Sequence, residues 1–166
     1  MVDDPLNVEF AKRVKEVFPL SPLPKKPLAR RERIADAFRG LRWNQVKPDI
    51  LSRFCFELHD LYPHTYRYYL PAFLTGILLH EDEVGSLSHN MLKYSLIPPD
   101  EDDLLYPLFQ AEVRGLTREQ RAVIYELFAN HSVLFPGLFR DEWWPGPASN
   151  DAEILEKALK FWGEGS

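Results

Sequence analysis

Apolar residues recur at helical spacing along most of this chain, and that spacing predicts an all-α protein of about seven helices. Phe10, Val14, Val17 and Phe18 mark a first helix over Val8 to Phe18, with Asn7 as N-cap and Pro19 as its stop. Ile34, Ala37, Phe38 and Leu41 mark a second from Leu28 to Arg39, closed by Gly40 as C-cap. Ile50, Leu51, Phe54, Leu58 and Leu61 give the stripe of a third, opened by Pro48 and ending near Asp60. A fourth begins at Pro63 and stops near His80. A fifth starts at Gly85–Ser86, points Leu87, Met91 and Tyr94 inward, and ends before Pro98–Pro99.

The fourth segment carries the densest pattern, Tyr66-Arg67-Tyr68-Tyr69-Leu70-Pro71-Ala72-Phe73-Leu74. Proline removes a backbone donor and crowds the preceding turn, so Pro71 is expected to kink or restart the helix there. The rings around it are expected to form the packing centre, with Trp43, Tyr69, Leu70 and Phe73 buried together. Further on, Pro107 makes the segment from Leu104 to Glu112 short or irregular. Thr117 and Gln120 form a capping-box pair directly before the stripe Val123, Ile124, Leu127 and Phe128. Phe135-Pro136-Gly137 ends that helix. Ser149 or Asn150 caps a last one carrying Leu155, Ala158, Leu159 and Trp162. Period-two runs of β-branched residues are absent, so no strand is predicted.

Four prolines between Pro19 and Pro27 make an extended, stiff stretch. The chain therefore divides into an N-terminal helix and proline-rich arm, residues 1–27, and one compact helical domain, residues 28–166. Its 45% hydrophobic and 13% aromatic content is enough for a core built on rings. The single cysteine, Cys55, excludes an internal disulfide and any CxxC motif, and its neighbours Phe54 and Phe56 mark it as a small buried hydrophobe.

The formal charge of −5 hides an asymmetry. Residues 1–47 hold eleven Lys/Arg against six Asp/Glu, and residues 48–166 hold nine against nineteen. An acidic body repels phosphate backbones, so no nucleic-acid partner is expected. The basic N-terminal part is expected to pair with that body. The apolar run Leu70–Leu79 is about half the ~20 residues a membrane span needs. With an acidic start, Met1-Val2-Asp3-Asp4-Pro5, and no apolar leader, a cytoplasmic location is expected and no membrane association.

Candidate chemistry is sparse. His80-Glu81-Asp82-Glu83-Val84 lacks the second histidine of HExxH, and Asp100–Asp103 lacks the alternating ligands and glycine of a calcium loop, so no metal is expected. That acidic run reads as a solvated helix start. No GxSxG, GxxxxGK[ST] or GxGxxG occurs, and no cofactor is expected. His59, Asp60 and His64 flank one turn, and their convergence would offer general acid–base groups, with His80 as a further member of such a set. The loop Trp143-Trp144-Pro145-Gly146-Pro147 offers a stiffened aromatic anchor beside Asp141 and Glu142.

Phe38-Arg39-Gly40 with Trp43, then Tyr68-Tyr69-Leu70-Pro71-Ala72-Phe73-Leu74, then Leu116-Thr117-x-Glu119-Gln120 with Leu127, resembles a group of small bacterial proteins classed as a domain of unknown function. The resemblance covers roughly residues 34 to 130. The proline-rich arm and the Trp143-Trp144 loop lie outside it. It implies one compact helical domain and no activity, so no catalytic residue is carried over.

Two functions remain in view. One is a protein-binding module, an immunity- or antitoxin-like inhibitor or accessory subunit, using an acidic surface with Trp143, Trp144, Asp141 and Glu142. Acidic character suits encounter with a basic protein partner. The other is a small enzyme or metal-dependent hydrolase using His59, Asp60 and His64. A purely structural subunit is a third.

Overall fold

A computed structural model describes residues 4–84, 94–134 and 151–164. Helix α1 (Pro5–Val17) begins earlier than the apolar stripe alone predicts. Pro5 occupies the first turn, where its missing N–H costs nothing, and Asp4, in place of Asn7, caps it by accepting from the Leu6 amide at 2.9 Å. Helix α2 (Glu32–Phe38) is shorter than expected. Leu28–Arg30 is extended instead, because its backbone pairs with the chain after α3: Arg30 N donates to Asp60 O at 2.7 Å and Tyr62 N to Leu28 O at 3.1 Å. Gly40 takes the left-handed turn after α2 at φ 75°, the C-cap role expected of it.

Trp43–Gln45 forms a 3₁₀ turn, and α3 (Pro48–Phe54) tightens into a 3₁₀ segment over Cys55–Asp60. Helix α4 (Pro63–Leu79) is the axis of the molecule. Eleven of its seventeen residues are buried, on every side, as befits a helix enclosed by others. It runs through Pro71 without the restart that was one of the two outcomes expected there. The neighbours packed round it supply the contacts that offset the lost backbone bond. Thr75 Oγ1 donates back to Pro71 O at 2.8 Å in the next turn. The expected packing centre is present: Trp43, Tyr69, Leu70 and Phe73 are all buried, with Tyr69 at 4.7 Å from the Phe38 ring. Tyr69 also donates its hydroxyl to Phe38 O and Leu41 O, both at 2.8 Å, which ties the end of α2 to α4.

Single-turn α5 (Glu81–Val84) follows α4. Tyr94, expected inward, is 47% exposed, whereas Ser95 and Leu96 beside it are buried. The first part of that predicted helix, residues 85–93 with Leu87 and Met91, lies outside the described residues. Helix α6 (Tyr106–Val113) is short, with Pro107 in its first turn. Helix α7 (Arg118–Ala129) has the predicted capping box, Thr117 Oγ1 accepting from Gln120 N at 3.2 Å and Gln120 Oε1 from Thr117 N at 3.0 Å. Single-turn α8 (His131–Leu134) and α9 (Asp151–Gly163) complete the described elements. Among the described residues the fold is all-α, with the isolated antiparallel Ala29–Leu61 bridge as its β-like contact.

One core unites these elements. Phe10, Val14 and Phe18 of α1 and Ala158 and Trp162 of α9 belong to the same cluster as α4. The proline arm lies over α4, held by Tyr68 Oη donating to Leu20 O and His64 Nε2 to Lys25 O, both at 2.7 Å. The basic N-terminal part pairs with the acidic body as expected. Arg13 grips Glu126 through two nitrogens at 2.8 and 3.1 Å, Arg31 reaches Glu57 and Asp60 at 3.6 Å, and Arg33 meets Glu57. No helix among the described residues is long and apolar enough to cross a membrane.

Candidate functional site

The chain turns at the end of its 3₁₀ segment, and this brings His59 against α6, where the inward stripe Phe109, Val113 and Leu116 is interrupted by Glu112. Glu112 has no solvent exposure, and His59 Nδ1 donates to its Oε1 at 3.0 Å. A buried carboxylate is costly unless paired, and here it is paired on one oxygen while Oε2 has no hydrogen-bond partner. The hydrogen bond to Glu112 holds the His59 imidazole above its ordinary value of 6.5, against the opposing effect of burial; Asp60 assists and Arg30 opposes. His59 is thus the hydrogen-bond partner of Glu112, its protonated form favoured by the pairing, with 39% of its side chain open to solvent.

Two further groups close the cluster. Tyr66 stacks on His59, rings 6.4 Å apart at 8°, and donates its buried hydroxyl to Ser95 Oγ at 3.1 Å. Burial, then the Glu112 charge, push that phenol well above its usual range, so it stays protonated. Arg67, one helix position on, lays its guanidinium over the end of α6 and donates to Ala111 O at 2.7 Å and Glu112 O at 3.1 Å. These are carbonyls a helix C-terminus leaves unsatisfied, and a cation is favoured there. Gly115 makes room: a Cβ at that position would stand 2.5 Å from Arg67 Nε.

The structure therefore separates the residues grouped from sequence. His59 meets Glu112, 53 residues away, rather than a triad with Asp60 and His64. Asp60 turns to Arg31, and His64 turns to the arm. His80 bonds Glu83 at 3.3 Å after α4. Asp141, Glu142, Trp143 and Trp144 lie outside the described residues. Among the described residues, no group of three His, Cys, Asp or Glu could hold a metal. Glu112 was legible in one respect: with Phe109, Val113 and Leu116 it occupies the i, i+3, i+4, i+7 stripe, where a charge needs a partner. Chemically, the pair can orient an imidazole for proton transfer at its solvent side.

A second feature is the turn from Asp100 to Leu105. Asp103 N donates to Asp100 O at 2.9 Å, Leu105 N to Asp103 Oδ1 at 2.8 Å, and Tyr106 N to Asp103 O at 3.0 Å. Lys157 of α9 pins its start at 2.6 Å from Asp100. On this fixed turn Leu104 is 95% exposed and Leu105 54%, beside the carboxylates of Glu101, Asp102 and Asp103. The acidic run is thus a turn two residues ahead of α6, and not the helix start that its charge alone implied.

These elements define an all-α domain with one core, in which α1 packs on the central α4 and α9 packs on α7. The chain belongs to DUF6714, a family of unknown function, which matches residues 24–136. That span covers the second to the eighth helices and both features above, and leaves α1 and α9 outside. No curated protein and no solved structure matches the chain.

Proposed function

We propose that this protein works by binding another protein, as an inhibitor of the immunity or antitoxin kind or as an accessory subunit, and that the Asp100–Leu105 turn is part of the contact. The observation that carries this reading is Leu104, an aliphatic side chain 95% exposed on a turn whose backbone is hydrogen-bonded in place. An apolar side chain on a backbone already held in place limits the ordering cost of docking to its own rotamers, and the carboxylates that precede it in sequence attract a basic partner. Asp141, Glu142, Trp143 and Trp144, outside the described residues, carry acidic and aromatic chemistry suited to the same partner.

Affinity capture from the native host, with the wild type and Leu104→Arg side by side, tests it. At least one captured protein should depend on Leu104, and its purified complex should weaken by about tenfold or more in the variant. Replacing Asp102 with Lys should mainly slow association and flatten its salt dependence. A capture profile identical for wild type and Leu104→Arg sinks the proposal. A second reading, proton transfer at His59, draws on its hydrogen bond to Glu112; it requires a turnover that His59→Gln abolishes.

A further inference from the structure

A cleft of about 480 Å³ lies where the end of the proline arm meets α2, on different elements from the acidic turn. The backbone pairing of Leu28–Arg30 with Asp60–Tyr62 fixes one wall, and α2 supplies the other. Leu28, Ala29 and Ala35, all buried, line it together with the exposed Pro27. Its size lies in the ~300–1,000 Å³ range of ligand pockets, enough to admit an aliphatic side chain. Lys26, Glu32 and Arg39, all exposed, supply the polar part of the lining.

This face keeps a positive balance after its own ion pairs are counted. Residues 25–39 carry six Lys/Arg and two Asp/Glu. Arg39 is paired with Glu32 and Asp36, Arg31 and Arg33 with Glu57, and Arg31 also with Asp60. Lys25, Lys26 and Arg30 have no carboxylate partner among the described residues, and Arg30 donates to a neutral carbonyl, His59 O. The Asp100–Leu105 turn is the reverse. Asp100 is held by Lys157, but Glu101, Asp102 and Asp103 are exposed and make no ion pair among the described residues. Beside them Leu104 is 95% exposed. One surface is thus an apolar hollow flanked by unpaired cations, and the other an apolar projection flanked by unpaired carboxylates.

We infer that the cleft receives the Asp100–Leu105 turn of a second copy of this chain, with Leu104 entering between the arm and α2 and the carboxylates facing Lys25, Lys26 and Arg30. The inference rests on the reading of that turn as a docking surface, and a second copy competes there with any other partner. Contacts of this size belong to the weak class below ~1,200 Å², so the association is concentration-dependent and screened by salt. Because cleft and turn are different surfaces, the contact is heterologous, closing into a reciprocal pair or extending into chains.

The test is sedimentation of the purified full-length protein up to about 1 mM, a range that reaches weak complexes. The average mass should rise with concentration, and less so in about 0.5 M salt. Lys26→Glu and Leu104→Arg, both at exposed positions, should each weaken self-association by about tenfold. Mixed together, the two variants should associate more strongly than either alone, because one intact cleft then meets one intact turn. With Lys26→Glu carrying the ¹⁵N label, the amides of residues 101–105 should shift on adding Leu104→Arg; with the label exchanged, those of residues 26–39 should. A protein that stays monomeric overturns the inference, while capture of another protein through Leu104 would still uphold the functional reading. Self-association that either variant leaves unchanged, or a mixture no stronger than its components, overturns it as well.

Discussion

His59 and Glu112 form an ion-pairing couple in which the carboxylate is wholly buried. Replacing the imidazole with a neutral amide leaves the wholly buried carboxylate without a partner that can carry a countercharge, so His59→Gln should destabilise the protein by about 1–3 kcal/mol. The pair also dictates a pH dependence. The folded-state value of His59 is raised above 6.5, so its contribution is fully present below pH 6.5 and is lost as the pH rises through the folded value. The wild-type urea midpoint should therefore fall across the window that begins at pH 6.5 and extends alkaline, and the His59→Gln midpoint should change less over the same range. Parallel profiles for the two proteins would show that His59 does not neutralise Glu112.

At the scale of elements, α4 and α6 are held together through a side chain and not only through packing. Arg67 of α4 finishes the C-terminal carbonyls of α6, and the space it uses exists because residue 115 is glycine. Gly115→Ala should force the guanidinium off those carbonyls while leaving the apolar contacts of α6 in place. The expected loss is about 1.5–3 kcal/mol, the range for hydrogen bonds made by a charged group. Thermal unfolding of Gly115→Ala beside Arg67→Ala and the double variant checks this. If the two single losses simply add in the double variant, the steric link between Gly115 and Arg67 is wrong.

Across the whole molecule, the family match and the physical core do not coincide. Residues 24–136 include α4, but α1 covers α4 with Phe10, Val14 and Phe18, and Gln120 Nε2 donates to Val17 O at 3.1 Å. At the other end, Trp162 is fully buried and donates to Leu96 O at 2.8 Å, while Arg121 spans the Phe161 and Trp162 rings at 5.0 and 5.1 Å. A chain cut to residues 24–136 should lose cooperative unfolding and bind a hydrophobic dye, because both flanking helices bury apolar surface of the part that remains. A sharp urea transition at the full-length midpoint would mean that α1 and α9 are dispensable covers.

Local rules were enough wherever the deciding interaction spans three or four residues. The Thr117–Gln120 box, the left-handed Gly40, the proline-opened α3 and α4, and the inward stripes of α7 and α9 all belong to that class. Their energies come from neighbours along the chain, so the amino-acid order contains them. Three outcomes depend on partners far away in sequence. Leu28–Arg30 leaves the helix because Asp60–Tyr62 offers its backbone a pair. Pro71 stays inside one helix because the elements round α4 hold it there. His59 finds Glu112 and not Asp60 or His64, because folding places a buried carboxylate within 3.0 Å, and a charge without water takes the nearest available counter-charge.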